Sequence, residues 1–120
     1  MKVLLVQDKP ALSTALKLTL LKKGFDLILS NADTPPDFTI NAINPSVIIS
    51  DITFGRGINY VEAAKEKNVP VIVISEYGEE DVLQMAFDKG ADDYVSLPLS
   101  IYEIALRVSL LTRPKFSAVA

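Results

Sequence analysis

The 120-residue sequence contains no cysteine and no histidine. Without cysteine there is no disulfide framework, and without either residue there is no zinc site of the usual nitrogen and sulfur type. The same absences remove every Ser-His-Asp and Cys-His catalytic group. Any metal must therefore be a hard cation on oxygen ligands. Strong charge of one sign is also missing: twelve basic residues against fifteen acidic ones give a net charge of −3. That balance offers no footprint for a nucleic-acid backbone or an anionic membrane surface. No apolar run approaches membrane-spanning length, and Gln7 and Asp8 interrupt the opening "MKVLLV" too early for a signal peptide. A cytoplasmic location is expected, with no nucleic-acid or membrane partner for this domain.

What is present suits a packed core. The chain is 49% hydrophobic and 22% charged, as expected of one globular domain. Short apolar runs recur, each closed by polar residues: "KVLLV" before Gln7 and Asp8, "VIIS" before Asp51, "VPVIVI" before Ser75 and Glu76, and "DDYVSL" before Pro98. A weaker run, "FDLILS", follows Gly24. Runs this continuous suit strands covered on both faces. Helical patterns lie between them. Pro10 to Lys23 carries Leu12, Leu16 and Leu20 on one stripe, with Gly24 placed to end the helix. Pro36 to Asn44 and Ile58 to Lys67 are shorter candidates, and Glu79 to Lys89 starts on acids and stops at Gly90, matching the helix dipole. Ser100 to Thr112 opens on a Ser-x-x-Glu pattern, Ser100 and Glu103, that predicts a capping box. Ile101, Ile104, Ala105, Val108 and Leu111 form its apolar stripe. The alternation is (βα)5, an α/β fold with a parallel sheet between two helical layers. Residues 1–113 are expected to form the domain, and 114–120 a tail or the start of a linker.

In an open parallel sheet, ligands bind at the carboxyl ends of the strands, where the strand order reverses. The residues expected there are Gln7, Asp8, Asp51, Ser75, Glu76 and Leu97. If the first and third strands are neighbours, Asp8 and Asp51 converge. Two close carboxylates share a proton or bind a cation, and Mg²⁺ suits an all-oxygen donor set. A carboxylate beside Mg²⁺ can also be a nucleophile towards phosphorus, with Ser75 donating a hydrogen bond to a phosphoryl oxygen. Local readings compete with these. Asp8, just before Pro10, is equally placed to cap the first helix, and Ser75 and Glu76 stand where a chain approaches a helix. Asp51 has no such alternative, because "ITFGRG" after it reads as a loop. Leu106 and Leu110 lie off the core stripe of the last helix, as ordinary exposed residues or as a partner surface.

The order and spacing of these pieces resemble the response-regulator receiver domain of two-component signalling, across essentially the whole chain. "VLLVQDKPAL" resembles the family's first strand and acidic corner. "PSVIISDITFGRG" resembles its third strand, with Asp51 at the phosphoacceptor position and Gly57 following. "VPVIVIS" places Ser75 where the family has Thr or Ser, and "DKGADDYVSLP" resembles its Gly-Ala-x-x-Tyr segment before Lys-Pro. The resemblance implies a flavodoxin-like three-layer sandwich with strand order 2-1-3-4-5. It implies Mg²⁺ held by Asp8, Asp51 and the Thr53 backbone carbonyl, with phosphoryl transfer to Asp51 from a phosphohistidine on a sensor histidine kinase or a histidine phosphotransfer protein. Ser75 and Tyr94 would form the switch, reporting to the face made by the last helices and strand, a candidate homodimer surface. Such a domain is a phosphoacceptor and not a turnover enzyme.

Two residues depart from the family pattern. Gln7 replaces the first acid, so it can orient a metal-bound water but adds no charge, and Mg²⁺ binding should weaken. Leu97 replaces the lysine that pairs with the phosphoryl oxygens, removing a charge-assisted hydrogen bond worth about 1.5–3 kcal/mol. Lys9 and Arg56, in loops beside the proposed mouth, are candidates for replacement charge or solvated surface residues. The alternative function is a degenerate pseudo-receiver, a protein-binding module that works without phosphate. A flavin carrier would need a Ser/Thr/Gly-rich loop where "QDKPAL" stands, and an aspartate-nucleophile phosphatase would need an acid where Thr53 stands.

Overall fold

The computed structural model describes residues 1–7, 10–31, 33–53, 56–76, 78–96 and 100–113. The continuous apolar runs form the inner strands of one sheet. β1 (Lys2–Val6), β3 (Val47–Asp51) and β4 (Val71–Ser75) are buried along nearly their whole length, as strands covered on both faces must be. β2 (Asp26–Ser30) and β5 (Asp93–Ser96) are the edges and keep exposed positions. All pairings are parallel and the order is β2-β1-β3-β4-β5. With α1 (Pro10–Lys22), α2 (Pro36–Ile43), α3 (Gly57–Glu66), α4 (Glu80–Asp88) and α5 (Ile101–Thr112) between and after them, this is the expected flavodoxin-like (βα)5 architecture.

Side-chain alternation along the strands divides the core in two. Leu5, Ile49, Ile72 and Ile74 pack with Leu16 and Leu20 of α1 and with Ile104, Ala105 and Val108 of α5. Leu4, Val6, Ile48, Val71 and Val73 face the other layer, against Ile40 of α2, Tyr60, Val61 and Ala64 of α3, and Ala86 of α4. A strand with period two between two helical layers must be apolar at every position. That is why the inner runs show no polar break before their carboxyl ends.

The amino-terminal edge of the sheet is structural. α1 to α4 are each followed by a residue of positive φ: Gly24 at 88°, Asn44 at 53°, Asn68 at 57° and Gly90 at 115°. The expected extension of α2 through Asn44 is corrected here: the helix stops at Ile43, and Asn44 turns left-handed with its N–H on the Ile40 carbonyl at 2.8 Å. Pro45 and Pro70 then prevent renewed helix. A side chain at Gly90 would also have to push aside the stem of Lys65, which lies across its Cα.

The expected capping box at α5 is also corrected. Ser100 occupies the N-cap position but its side chain makes no capping bond. Its carbonyl accepts the Glu103 and Ile104 N–H groups, at 3.0 and 3.3 Å. Glu103 turns instead to Arg107, 3.0 Å away, and Arg107 grips Asp93 of β5 at 2.7 and 2.6 Å. In this arrangement both partners of each bond are charged, whereas in a capping box the Glu103 carboxylate would meet only a neutral backbone N–H. The hydrogen bonds that Arg107 donates, to Asp93 first and Glu103 second, raise the pKa of its guanidinium above the ordinary value. Its contribution to stability is complete below that value and fades only above it.

Tyr60 is wholly buried in the first turns of α3. Its hydroxyl proton is shared between the Thr34 carbonyl at 3.0 Å and Thr39 Oγ1 at 3.1 Å, with Ser30 Oγ at 3.4 Å. It therefore pins the β2–α2 connection to α3, a role that no periodicity marks. Tyr60→Phe leaves the Thr34 carbonyl and the Thr39 hydroxyl short of a partner, and is expected to lower stability in urea titration by about 1–2 kcal/mol.

Candidate functional site

β3 carries Asp51 to the carboxyl end of the sheet, between β1 and β4. The chain passes from β1 to β2 on one side and then crosses back to β3 on the other, so the strand order reverses between β1 and β3, beside Asp51. The carboxylate is half-buried and held at both ends. Asp51 Oδ1 accepts the Thr53 N–H at 2.8 Å, and Oδ2 accepts the Gln7 side-chain N–H at 3.1 Å. Both donors are neutral N–H groups, and together they fix the orientation of the carboxylate. No ion pair to Asp51 occurs among the described residues.

The loop after Asp51 closes tightly. Ser50 is wholly buried on the α3 side of β3 and donates its hydroxyl to the Gly57 carbonyl at 2.7 Å. Gly57 opens α3 directly beneath the Asp51 backbone carbonyl, so close that a Cβ there would overlap it. Thr53 Oγ1 accepts the Glu76 N–H at 2.9 Å, beyond the bond from Ile52 N–H to the Ile74 carbonyl at 3.0 Å. Ser50 and Thr53 were not legible as structural residues. Their only signals are a hydroxyl inside an apolar run and a glycine placed to meet it.

Of the other residues read from the sequence, Ser75 ends β4, wholly buried, in register with Ser96 of β5. Its position in the alternation directs it to the α3 and α4 layer. Tyr94 of β5 is half-buried and packs on the core beneath those same helices. Arg56 is exposed in the turn before α3. Asp8, Lys9, Leu97 and the tail 114–120 lie outside the described residues.

Among the described residues no cluster of three acidic side chains surrounds one point. The oxygens that do gather are the Asp51 carboxylate and, on the amide bonded to it, Gln7 Oε1. The last is buried with no hydrogen-bond partner among the described residues, which costs about 1–3 kcal/mol. A cation or one of its waters would satisfy it. The set fits a hard divalent ion that keeps most of its own hydration.

A doubly wound parallel sheet presenting a carboxylate at its switch point defines an α/β ligand-binding domain. More particularly, the chain belongs to the response regulator receiver domain family, whose model it matches over residues 3–109. It is 34% identical over 116 residues to the KDP operon transcriptional regulatory protein KdpE of Escherichia coli, covering 92% of this chain and 51% of that protein. It is 28% identical over 115 residues to the transcriptional regulatory protein KdpE of Staphylococcus aureus, covering 93% and 50%. The chain thus spans about half the length of these curated relatives. Among solved structures it resembles the receiver domain of the Francisella response regulator 1452, with a TM-score of 0.80 at 28% identity over 92% of this chain and 95% of that one. It also resembles HP1043, an orphan response regulator of H. pylori, with a TM-score of 0.83 at 25% identity over 94% and 97%. It is a receiver domain of two-component response regulators, a class of signalling modules. No helix among the described residues is long and apolar enough to cross a membrane.

Proposed function

We propose that Asp51 accepts a phosphoryl group from a phosphohistidine on a sensor histidine kinase or histidine phosphotransfer protein, and that this switches a protein-interaction face. The observation that carries the reading is the Asp51 carboxylate itself, at the switch point, oriented by two neutral N–H donors. In the transfer, one Asp51 oxygen forms a bond to phosphorus as the P–N bond of the donor breaks. The electron pair returns to the ring nitrogen, and a proton on the other ring nitrogen leaves the imidazole neutral. Thr53 N–H holds the carboxylate in one orientation, so positioning supplies much of the catalysis. Mg²⁺, held by Asp8, Asp51 and the Thr53 carbonyl with Gln7 through a water, would supply neutralisation of the phosphoryl charge.

Ser75 donates its hydroxyl to a phosphoryl oxygen, and Tyr94 follows it. Leu97 offers no cation, leaving Lys9 and Arg56 as the nearby sources of charge. Residues 1–113 act as the receiver and 114–120 as a tail or linker, in the cytoplasm. Exposed Tyr102, Leu106 and Leu110 support a partner or homodimer surface on α5 with α4 and β5. This domain is a phosphoacceptor rather than a turnover enzyme.

One observation supports the second reading, a pseudo-receiver that binds a partner without phosphate. The Gln7 amide already satisfies Asp51 Oδ2, where an acid would repel it. Amide chemical shifts followed during addition of Mg²⁺ and beryllofluoride decide between the two. Phosphoacceptance predicts shifts at Asp51 to Thr53 and at Ser75. Their absence at high ligand would leave the pseudo-receiver.

A further inference from the structure

At the carboxyl edge of the sheet one residue joins two loops. Thr53 donates its N–H to Asp51 Oδ1 at 2.8 Å and accepts the Glu76 N–H on Oγ1 at 2.9 Å. Among the described residues, the last backbone bond between these two segments is made just before it, by Ile52. The Thr53–Glu76 bond is the next tie between them, made by a side chain. Glu76 is the first residue after buried Ser75, and the chain runs from it into α4.

We propose that Thr53 is a positioning residue that couples the Asp51 carboxylate to the approach to α4, by a route that does not use the Ser75 hydroxyl. Its two bonds spring from one Cα. A change at the carboxylate that draws or releases the Thr53 N–H rotates the preceding peptide and carries Oγ1 with it. The Glu76 N–H must then follow or exchange its acceptor for water, which is available because Glu76 is exposed. Threonine suits the task because its β-branch restricts χ1 while its hydroxyl keeps an acceptor. Valine has the same shape and no acceptor. The biological use of the route rests on Asp51 being the phosphoacceptor, but the coupling belongs to the unphosphorylated chain.

It is therefore tested there, by hydrogen exchange and amide chemical shifts without phosphate or a mimic. In Thr53→Val the Glu76 amide is expected to exchange about five- to tenfold faster, the effect of losing one neutral hydrogen bond. Thr53→Ser, which keeps the hydroxyl, should recover most of the protection and serves as the folding control. Asp51→Ala should shift the Glu76 amide and those of the first turn of α4 when Thr53 is present, and should leave them in place on the Thr53→Val background. Unchanged Glu76 exchange in Thr53→Val, or an equal effect of Asp51→Ala on both backgrounds, overturns the proposal. A failure of beryllofluoride to bind would instead remove the phosphoacceptor reading and leave this coupling standing.

Discussion

Asp51→Asn is expected to abolish covalent capture of a phosphoryl group from phosphoramidate, by roughly three orders of magnitude or more. Intact-protein mass spectrometry would show the loss of the single-phosphoryl species. The reason is electronic. An amide is uncharged and its nitrogen lone pair is delocalised, so neither end is a useful nucleophile towards phosphorus. The fold should survive, because asparagine keeps the shape and still accepts the Thr53 N–H that Asp51 accepts at 2.8 Å. Urea stability within about 0.5 kcal/mol of the parent is the expected control. Phosphoryl incorporation into Asp51→Asn at the parental rate would place the acceptor elsewhere and end the reading of this carboxylate.

Gly57→Ala is expected to be among the more damaging small substitutions in the chain, at about 2–3 kcal/mol in denaturant titration. The added methyl group would be driven into the Asp51 backbone carbonyl and would stand 3.1 Å from Ser50 Oγ. Neither can yield easily. The carbonyl belongs to the end of a central strand, and the hydroxyl is fixed at 2.7 Å on the Gly57 carbonyl. Relief would have to come from moving the start of α3 or the end of β3. Amide shifts at Asp51 and Thr53 should therefore change along with stability. A Gly57→Ala protein as stable as the parent would show that this approach is looser than described.

The two expectations differ in how far they could be anticipated. Asp51 stood out because an apolar strand ended on a carboxylate with no helix to cap. Gly57 was noted only by its resemblance to the family pattern. Its need for a bare Cα emerges from where α3 starts relative to β3. Helix placement was largely legible, since apolar stripes and the end signals at Gly24 and Gly90 are local. The capping box was not, because Glu103 had a stronger competitor in Arg107, and Arg107 mattered only once β5 brought Asp93 beside it.

The sequence by itself determined the alternation of buried strands and amphipathic helices, the exclusion of thiol and imidazole chemistry, and the prominence of Asp51. These follow from composition and from periods of two and about 3.6 residues. Only the tertiary structure decided what touches that carboxylate. Gln7 reaches Asp51 across 44 positions and Thr53 reaches Glu76 across 23. Both meetings depend on parallel register, with Val6 opposite Ser50 and Asp51 opposite Ile74. Pairing of this kind is long-range in sequence, and a one-residue slip would turn each side chain to the opposite face. Gln7, read in isolation as a lost charge, became in the fold the donor that holds the Asp51 carboxylate in place.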